Sequence, residues 1–239
     1  MNLLEKFQNC FCNQDDYKHV ENKGSFFTVR EGVKLTIYFE KSNGLVDWLN
    51  NFDFLPENRN TGARATLKSF FGWVKGLIFN LRLPKKAYKD TPIKWYCHGG
   101  FLKVWKSIEP YLQDEINNPM IREFEVIGYS HGGAVAQLCF EYIKYWRPDC
   151  KVTGYGFGAP RIIWGKPADF IKHRFDGFTI IRNQKDIVTH LPPKLFGFTD
   201  VCKILVLKGY PKSRGVIKDH YPENYWVALH NIEEDEEAV

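Results

Sequence analysis

The stretch from residue 122 to residue 146, REFEVIGYSHGGAVAQLCFEYIKYW, constrains the fold more than any other part of the chain. An apolar run ends at Ile127 and meets the pentapeptide GYSHG at 128–132, after which apolar residues recur at helical spacing. This order predicts a strand, a sharp turn that carries a serine, and an amphipathic helix, which is the context that the G-x-S-x-G motif needs. The glycines leave room where the strand and the helix cross.

Ser130, at the tip of the predicted turn, is the candidate nucleophile. The turn would lift its hydroxyl above the sheet, next to the free N–H groups at the start of the helix. The alternative is an ordinary glycine-rich turn. A serine hydroxyl is a weak nucleophile at neutral pH, so it needs a base, and the base needs an orienting acid. In chains built on this turn the acid and then the histidine follow the serine in sequence.

Two residues downstream of the serine fit those roles. Asp186 follows a predicted strand over 178–182, which places it at the sheet edge where open α/β sheets bind ligands. His220 lies in a loop after a predicted last strand over 201–207 and before a short helical pattern over 225–229. The alternative for Asp186 is a loop aspartate that only turns the chain.

The other histidines and aspartates fit these roles less well. His131 would begin the helix, so its side chain should point away from the serine hydroxyl. His98 is expected to pack and to hydrogen-bond beneath the site. Asp176 precedes a strand and therefore lies at the wrong edge, while Asp219 is expected to be a cap or a surface residue. His190 is expected to be structural, and His19, His173 and His230 are expected to be solvated.

Several motifs, in this order, resemble the class 3 lipase family of fungal-type lipases. They are CHGGFL at 97–102, GYSHGGA at 128–134, GFGAPR at 156–161, NQKDIVTHLPP at 183–193 and the pair His220-Tyr221, together with a strand and D-W-L-x-N segment within 35–54. The similarity covers roughly residues 33–230. It implies an α/β-hydrolase fold, with a central, mostly parallel sheet flanked by helices, in a single domain over 1–239.

The resemblance also implies roles for individual residues. Ser130 would be the nucleophile, Asp186 the orienting acid and His220 the general base. The oxyanion hole would use the backbone N–H of His131 and the turn that contains Ser42. That turn reads Glu-Lys-Ser where the family usually has Arg-Gly-Thr or Arg-Gly-Ser, and the nucleophile turn reads G-Y-S-H-G where the family usually has G-H-S-L-G.

The implied reaction is hydrolysis of carboxylic esters through an acyl-enzyme, with acylglycerols, phospholipids or simple esters as substrates and with no metal or organic cofactor. Two alternatives stay open. The same three residues could cleave thioesters or amides. The chain could instead be a catalytically inactive module that binds membranes through this fold.

Residues 44–83 are expected to form a lid or an interfacial insertion. Residues 59–94 carry nine basic side chains and one acid, interleaved with aromatic residues, so peripheral contact with an anionic membrane is expected and nucleic-acid binding is not. The alternative is that these segments pack on the core. The candidate lid or substrate-binding side chains are Trp48, Leu49, Phe52, Phe70, Phe71 and Trp73.

The N-terminal segment lacks the long apolar stretch of a signal peptide, and no run of 18 apolar residues occurs. The six cysteines lack metal-ligand spacing and a disulfide framework. These features predict a cytoplasmic protein with reduced thiols. Residues 231–239 are expected to form an acidic tail, and the sequence does not indicate the oligomeric state.

Overall fold

A computed structural model of the protein describes residues 2–11, 17–40, 85–86, 95–165, 169–207 and 215–237. Its centre is a sheet of seven strands, of which the five from the third onward in the spatial order run parallel. In spatial order the strands are β1 (Lys18–Val20), β2 (Gly24–Glu31), β3 (Lys34–Phe39), β6 (Glu123–Tyr129), β7 (Lys151–Phe157), β9 (Phe178–Asn183) and β11 (Lys203–Leu207).

Helices cover both faces of this sheet. They are α1 (Leu3–Asn9), α2 (Gly99–Ile116), α3 (His131–Trp146), α4 (Asp169–Arg174) and α5 (Pro222–Glu237). One apolar cluster joins the sheet to α2, α3 and α4, and a second joins it to α1 and α5. The predicted α/β-hydrolase fold class is therefore confirmed.

The strand β6 shows why the sheet is buried on both sides. Its side chains alternate between faces, since successive Cβ atoms of a strand point in opposite directions. Phe124 and Val126 pack in the first cluster, whereas Ile127 and Tyr129 pack in the second. All four side chains are buried. Continuous burial of this kind is typical of a parallel strand covered by helices on both faces.

A second, small antiparallel sheet lies at one edge of the main sheet. It contains β10 (Phe198–Thr199), β8 (Ile163–Trp164), β5 (Tyr96–Cys97) and β4 (Lys85–Lys86), in that order. The connections that carry β8 and β10 leave the carboxyl ends of β7 and β9. The small sheet therefore lies at the carboxyl edge of the parallel strands.

The short helix α1 was not predicted from the sequence. It begins at a capping box, in which the side chain of Asn2 accepts from the Glu5 N–H and the Glu5 carboxylate accepts from the Asn2 N–H. The buried Lys6 ammonium donates to the carboxylate of Glu125 on β6, which also accepts from Lys34. Burial acts to raise the pKa of Glu125, but these two lysines outweigh it and hold that pKa below its ordinary value. This ion-pair cluster fixes α1 to the sheet.

The strand predictions over 178–182 and 201–207 agree with β9 and β11, while the helix predicted over 225–229 is longer and runs over Pro222–Glu237. Helix α5 therefore extends through seven of the nine residues, 231–237, of the segment expected to be an acidic tail. Segment 44–83 lies outside the described residues, as do Ser42, Trp48, Leu49, Phe52, Phe70, Phe71 and Trp73. Among the helices that the structure describes, none is long and apolar enough to cross a membrane.

Candidate active site

Ser130 occupies the turn between β6 and α3, as the sequence predicted. Its backbone has φ 58° and ψ −119°, a conformation that residues other than glycine rarely adopt. The Ser130 amide donates to the Phe157 carbonyl on β7 at 2.7 Å, and the Ala134 amide donates to the Ser130 carbonyl at 3.2 Å. These bonds hold the strained turn in place between the neighbouring strand and the first turn of the helix.

Two glycines make this turn sterically feasible. A Cβ atom on Gly128 would lie 2.4 Å from the carbonyl carbon of Gly132, so strand and helix could not cross as they do. A Cβ atom on Gly132 would lie 2.3 Å from the carbonyl oxygen of Phe39, at the end of β3. Real Cβ atoms do not approach backbone atoms so closely. The close approach explains why the turn requires glycine on both sides of the serine.

The structure brings Ser130, His220 and Asp186 together in a line of contacts. The Oγ of Ser130 lies 2.7 Å from Nε2 of His220, and Nδ1 of His220 lies 2.8 Å from Oδ2 of Asp186. All three side chains are buried, with Asp186 fully shielded from solvent. The three residues come from the ends of β6 and β9 and from the loop before α5, so the sheet order places them at one edge.

The Asp186 carboxylate is held by two further donors. Its Oδ1 accepts from the Val188 amide at 2.8 Å, and its Oδ2 accepts from the Tyr225 hydroxyl at 2.6 Å. Burial, reinforced by the negative charge of Asp186, raises the pKa of Tyr225 well above its ordinary value, so the phenol stays a proton donor. Tyr225 was not singled out from the sequence. The available signal was a tyrosine on the apolar face of a helix, where a buried hydroxyl needs a partner.

The loop that carries His220 is fixed by contacts with the nucleophile strand. The Tyr129 hydroxyl donates to the His220 carbonyl, and the Tyr129 ring stacks on the imidazole with centroids 5.2 Å apart. The Asn183 side chain donates to the Asp219 carbonyl at 3.0 Å, and the Lys185 amide donates to Oδ2 of Asp219 at 3.1 Å. The expectation that Asp219 is a cap or surface residue was wrong, because it is buried and ties this loop to the one that carries Asp186.

The other histidines and the aspartate that were considered for these roles do not contact the Ser130 hydroxyl or the His220 imidazole. The His131 ring packs against Phe101, with centroids 5.3 Å apart, and burial followed by the nearby His98 lowers its pKa to about 4. Nδ1 of His98 accepts from two amides at the start of α2, so His98 is the N-cap of that helix. Asp176 is exposed and pairs with His173 at the amino end of β9.

His190 packs beside Arg161, which anchors the loop after Asp186. The Arg161 guanidinium donates to the carbonyls of His190 and Pro192 and to Oδ1 of Asp200, the last at 2.6 Å. Burial, followed by the charges of Arg182 and Arg161, lowers the pKa of His190. Within the described parts of the chain, no group of three or more His, Cys, Asp or Glu side chains is placed to hold a metal ion.

Comparisons with known proteins identify relatives of this chain. The model of the family described as lipase (class 3) matches residues 36–196. The secreted mono- and diacylglycerol lipase 1 of Fusarium solani is 28% identical over 146 residues, which cover 59% of this chain and 43% of that protein. The match therefore spans less than half the length of that curated relative.

Solved structures also resemble the fold. The triacylglyceride lipase of Rhizomucor miehei superposes with a TM-score of 0.58 at 18% identity, over 85% of this chain and 78% of that one. A triacylglycerol lipase described as having a serine protease triad as its catalytic centre superposes with a TM-score of 0.56 at 18% identity, over 81% of this chain and 67% of that one. At these identities the similarity supports the fold.

Proposed function

Because this chain belongs to the class 3 lipase family, we propose that it is a serine hydrolase that cleaves carboxylic esters of lipids through an acyl-enzyme. The observation that carries the proposal is the continuous line of contacts from Ser130 through His220 to Asp186. A catalytically inactive module that only binds membranes would not need these three side chains within hydrogen-bonding distance of one another. The geometry therefore favours an enzyme over that alternative.

In the first half of the reaction, Ser130 is acylated. The Asp186 carboxylate accepts a hydrogen bond from Nδ1–H of His220, so that nitrogen keeps its proton and Nε2 is left as the acceptor for the serine proton. As Oγ attacks the ester carbonyl carbon, its proton passes to Nε2 and the carbonyl oxygen becomes an oxyanion. When the tetrahedral intermediate collapses, the bond from the carbonyl carbon to the alkoxy oxygen breaks. His220 gives the proton it took from Ser130 to that oxygen, which leaves as an alcohol.

In the second half, the acyl-enzyme is hydrolysed. Water enters, His220 takes one of its protons, and the resulting hydroxide attacks the acyl carbon. The second tetrahedral intermediate expels Oγ of Ser130, which recovers its proton from His220, and the carboxylic acid leaves. No co-reactant other than water is required.

The oxyanion in both halves needs donors aimed at the developing charge, and we assign one to the backbone N–H of His131. That amide belongs to the first turn of α3, where N–H groups have no partner within the helix. The second donor is assigned to the turn of Ser42, which lies outside the described residues. In support, the carbonyl oxygens of Phe39 and Glu40, the latter two residues before Ser42, lie against Gly132 at the start of α3. Loss of one such donor reduces the stabilisation of the transition state by about 2.7–4 kcal/mol.

The substrate class rests on the relatives. The Fusarium solani protein is named for mono- and diacylglycerols, and the structural neighbours for triacylglycerols, so acylglycerol esters are the proposed substrates. We retain 44–83 as a candidate lid or interfacial segment, with Trp48, Leu49, Phe52, Phe70, Phe71 and Trp73 as its apolar side chains. The overlapping stretch 59–94, which is basic and rich in aromatic residues, supports contact with an anionic lipid surface.

The test is hydrolysis of mono-, di- and triacylglycerol emulsions, with a matched thioester and a matched amide as competing substrates. We expect turnover of the acylglycerols and its loss in Ser130→Ala. Preferred turnover of the thioester or the amide would replace the ester assignment while keeping the same nucleophile. Equal inactivity of wild type and Ser130→Ala on all substrates would overturn the hydrolase proposal.

Cytoplasmic localisation is also proposed. Five cysteines in the described ranges are free thiols, as is usual in a reducing compartment, whereas the Fusarium solani relative is named as secreted. Cell fractionation with an antibody against the chain distinguishes the two locations.

A further inference from the structure

Where the class 3 lipase family usually has leucine after its nucleophile, this chain has His131, which is half-buried. Its ring packs against Phe101, with centroids 5.3 Å apart. Neither ring nitrogen has a hydrogen-bond partner in the part of the chain that the structure describes. A leucine would fill this position without leaving a polar group unpaired, so the imidazole points to a ligand that the folded chain does not supply.

The position of His131 brings its ring close to the substrate. Its backbone N–H is the assigned donor to the oxyanion, and its side chain branches from the next atom of the backbone, so the ring nitrogens lie within a few bond lengths of that amide. When the carbonyl oxygen of an ester binds the amide, the neighbouring atoms on its acyl and alcohol sides are within reach of the imidazole.

The two imidazoles beside Ser130 approach it from different faces of the sheet. The His220 ring stacks on Tyr129, which belongs to the apolar cluster that joins the sheet to α1 and α5. The His131 ring contacts Phe101, which belongs to the cluster that joins the sheet to α2, α3 and α4. His220 contacts the serine hydroxyl and is assigned the proton transfers, so the His131 ring is left to bind substrate.

The protonation state of His131 limits which group it can bind. Burial, followed by the nearby His98, lowers its pKa to about 4, so the ring is neutral at physiological pH. A neutral imidazole offers one N–H donor and one lone pair, whereas an anionic group would require a charged imidazolium. A hydroxyl matches this pair of functions because it both donates and accepts, while an ester oxygen only accepts.

We propose that the His131 side chain is a specificity-determining residue that hydrogen-bonds a hydroxyl group of the substrate close to the scissile ester carbonyl. This inference rests on the proposed function for the reaction and goes beyond it by naming a chemical group that the preferred substrate carries. The hydroxyl can stand on the leaving alcohol, as in a partly esterified glycerol, or on the acyl chain. A fully esterified glycerol with plain acyl chains has neither.

The test compares kcat/KM for small soluble esters that differ in their hydroxyl groups. Glycerol monobutyrate has hydroxyls on the alcohol, propyl β-hydroxybutyrate has one on the acyl chain, and propyl butyrate has none. Each kcat/KM is divided by the rate at which hydroxide hydrolyses that ester, which removes intrinsic reactivity. We expect one of the hydroxyl-bearing esters to be preferred over propyl butyrate about tenfold, and its identity gives the side that carries the hydroxyl. Equal values for all the esters would overturn the proposal.

The selectivity ratio is then measured in variants, because a change that affects all esters equally cancels in it. In His131→Leu the ratio should fall close to one, and His131→Gln, whose amide keeps a donor and an acceptor, should retain part of it. The matched control is His173→Leu, which removes an exposed imidazole that pairs with Asp176 at the amino end of β9 and should keep the parent's ratio. The parent's ratio in His131→Leu would show that the ring only packs, and would overturn the proposal.

A binding measurement separates this proposal from the hydrolase assignment. In Ser130→Ala, the Cε1–H proton resonance of His131, identified by its loss when His131→Gln is added, should shift with a hydroxyl-bearing ester and not with propyl butyrate. That shift, with no turnover of any ester by the unaltered chain, would leave the hydroxyl site standing and remove the hydrolase proposal. No shift with either hydroxyl-bearing ester would overturn the hydroxyl site, whether or not the esters are turned over.

Discussion

The Tyr225 hydroxyl donates to Oδ2 of Asp186 at 2.6 Å, and that same oxygen lies 2.8 Å from Nδ1 of His220. The phenol therefore fixes the carboxylate oxygen that orients the imidazole. It also accepts from the Asn183 amide at 3.0 Å, which ties it to the end of β9. Tyr225 acts through Asp186, so we regard it as a positioning residue.

Removing this hydroxyl should impair turnover more than it impairs folding. In Tyr225→Phe we expect kcat to fall about tenfold, because a hydrogen bond to a charged group contributes about 1.5–3 kcal/mol and each 1.36 kcal/mol is tenfold in rate. The readout is kcat on a short soluble ester alongside urea unfolding. The control is Tyr38→Phe, which removes a buried hydroxyl that accepts from the side chain of Asn9, the last residue of α1. Unchanged kcat in Tyr225→Phe would show that its role is structural only.

We expect both the hydroxyl and the ring of Tyr129 to contribute to turnover and to stability. Tyr129→Phe keeps the ring that stacks on His220 but loses the donor to the His220 carbonyl, so we expect kcat to fall several-fold and unfolding free energy to fall by about 1 kcal/mol. Tyr129→Ala also leaves a cavity and should cost about 3–5 kcal/mol of stability. A Tyr129→Phe variant with the kinetics and stability of the parent would contradict this account.

The close approach of β3 to α3 predicts strong intolerance at Gly132. In Gly132→Ala the new methyl would meet the Phe39 carbonyl, so we expect a loss of more than about 3 kcal/mol in unfolding free energy. Gly165→Ala is the control, because Gly165 also has a positive φ, of 84°, but a Cβ atom there would meet open space. We expect this variant to lose only about 1 kcal/mol of unfolding free energy. Similar losses in both variants would mean that steric contact at Gly132 is not decisive.

His131 should make the protein sensitive to mild acid. Its pKa falls from 6.5 to about 4 on folding, so the unfolded chain binds a proton that the folded chain does not, and stability decreases as pH falls from 6.5 to 4. The decrease should be on the order of 3 kcal/mol. His131→Leu should remove this part of the pH dependence, measured as the difference in urea unfolding between pH 7 and pH 4. Parallel pH profiles for the two proteins would refute the assignment.

The nucleophile turn and the strands that precede Ser130 and Asp186 were predictable from sequence because they follow from local rules. Glycines flank Ser130 where strand and helix must cross, and Asp186 follows a strand whose carboxyl end meets the same sheet edge. The contacts of Tyr225 and Asp219 were not predictable, since they depend on how α5 and its preceding loop dock against β9. No periodicity in sequence specifies that docking.

Helix α1 was missed for a related reason. Seven residues are too few for a reliable helical pattern, and its stability comes from long-range contacts. Lys6 meets Glu125, and Phe7 packs against Tyr129 and Tyr225.

The central claim is that Ser130 is a nucleophile activated by His220. The most direct test is to react the folded protein with a fluorophosphonate, in which the attacking oxygen displaces fluoride from phosphorus, and to locate the adduct by mass spectrometry. We expect one adduct, on Ser130, with labelling lost in Ser130→Ala and reduced at least a hundredfold in His220→Ala. Absence of an adduct on the wild-type protein, or labelling of Ser130 that does not depend on His220, would contradict the account.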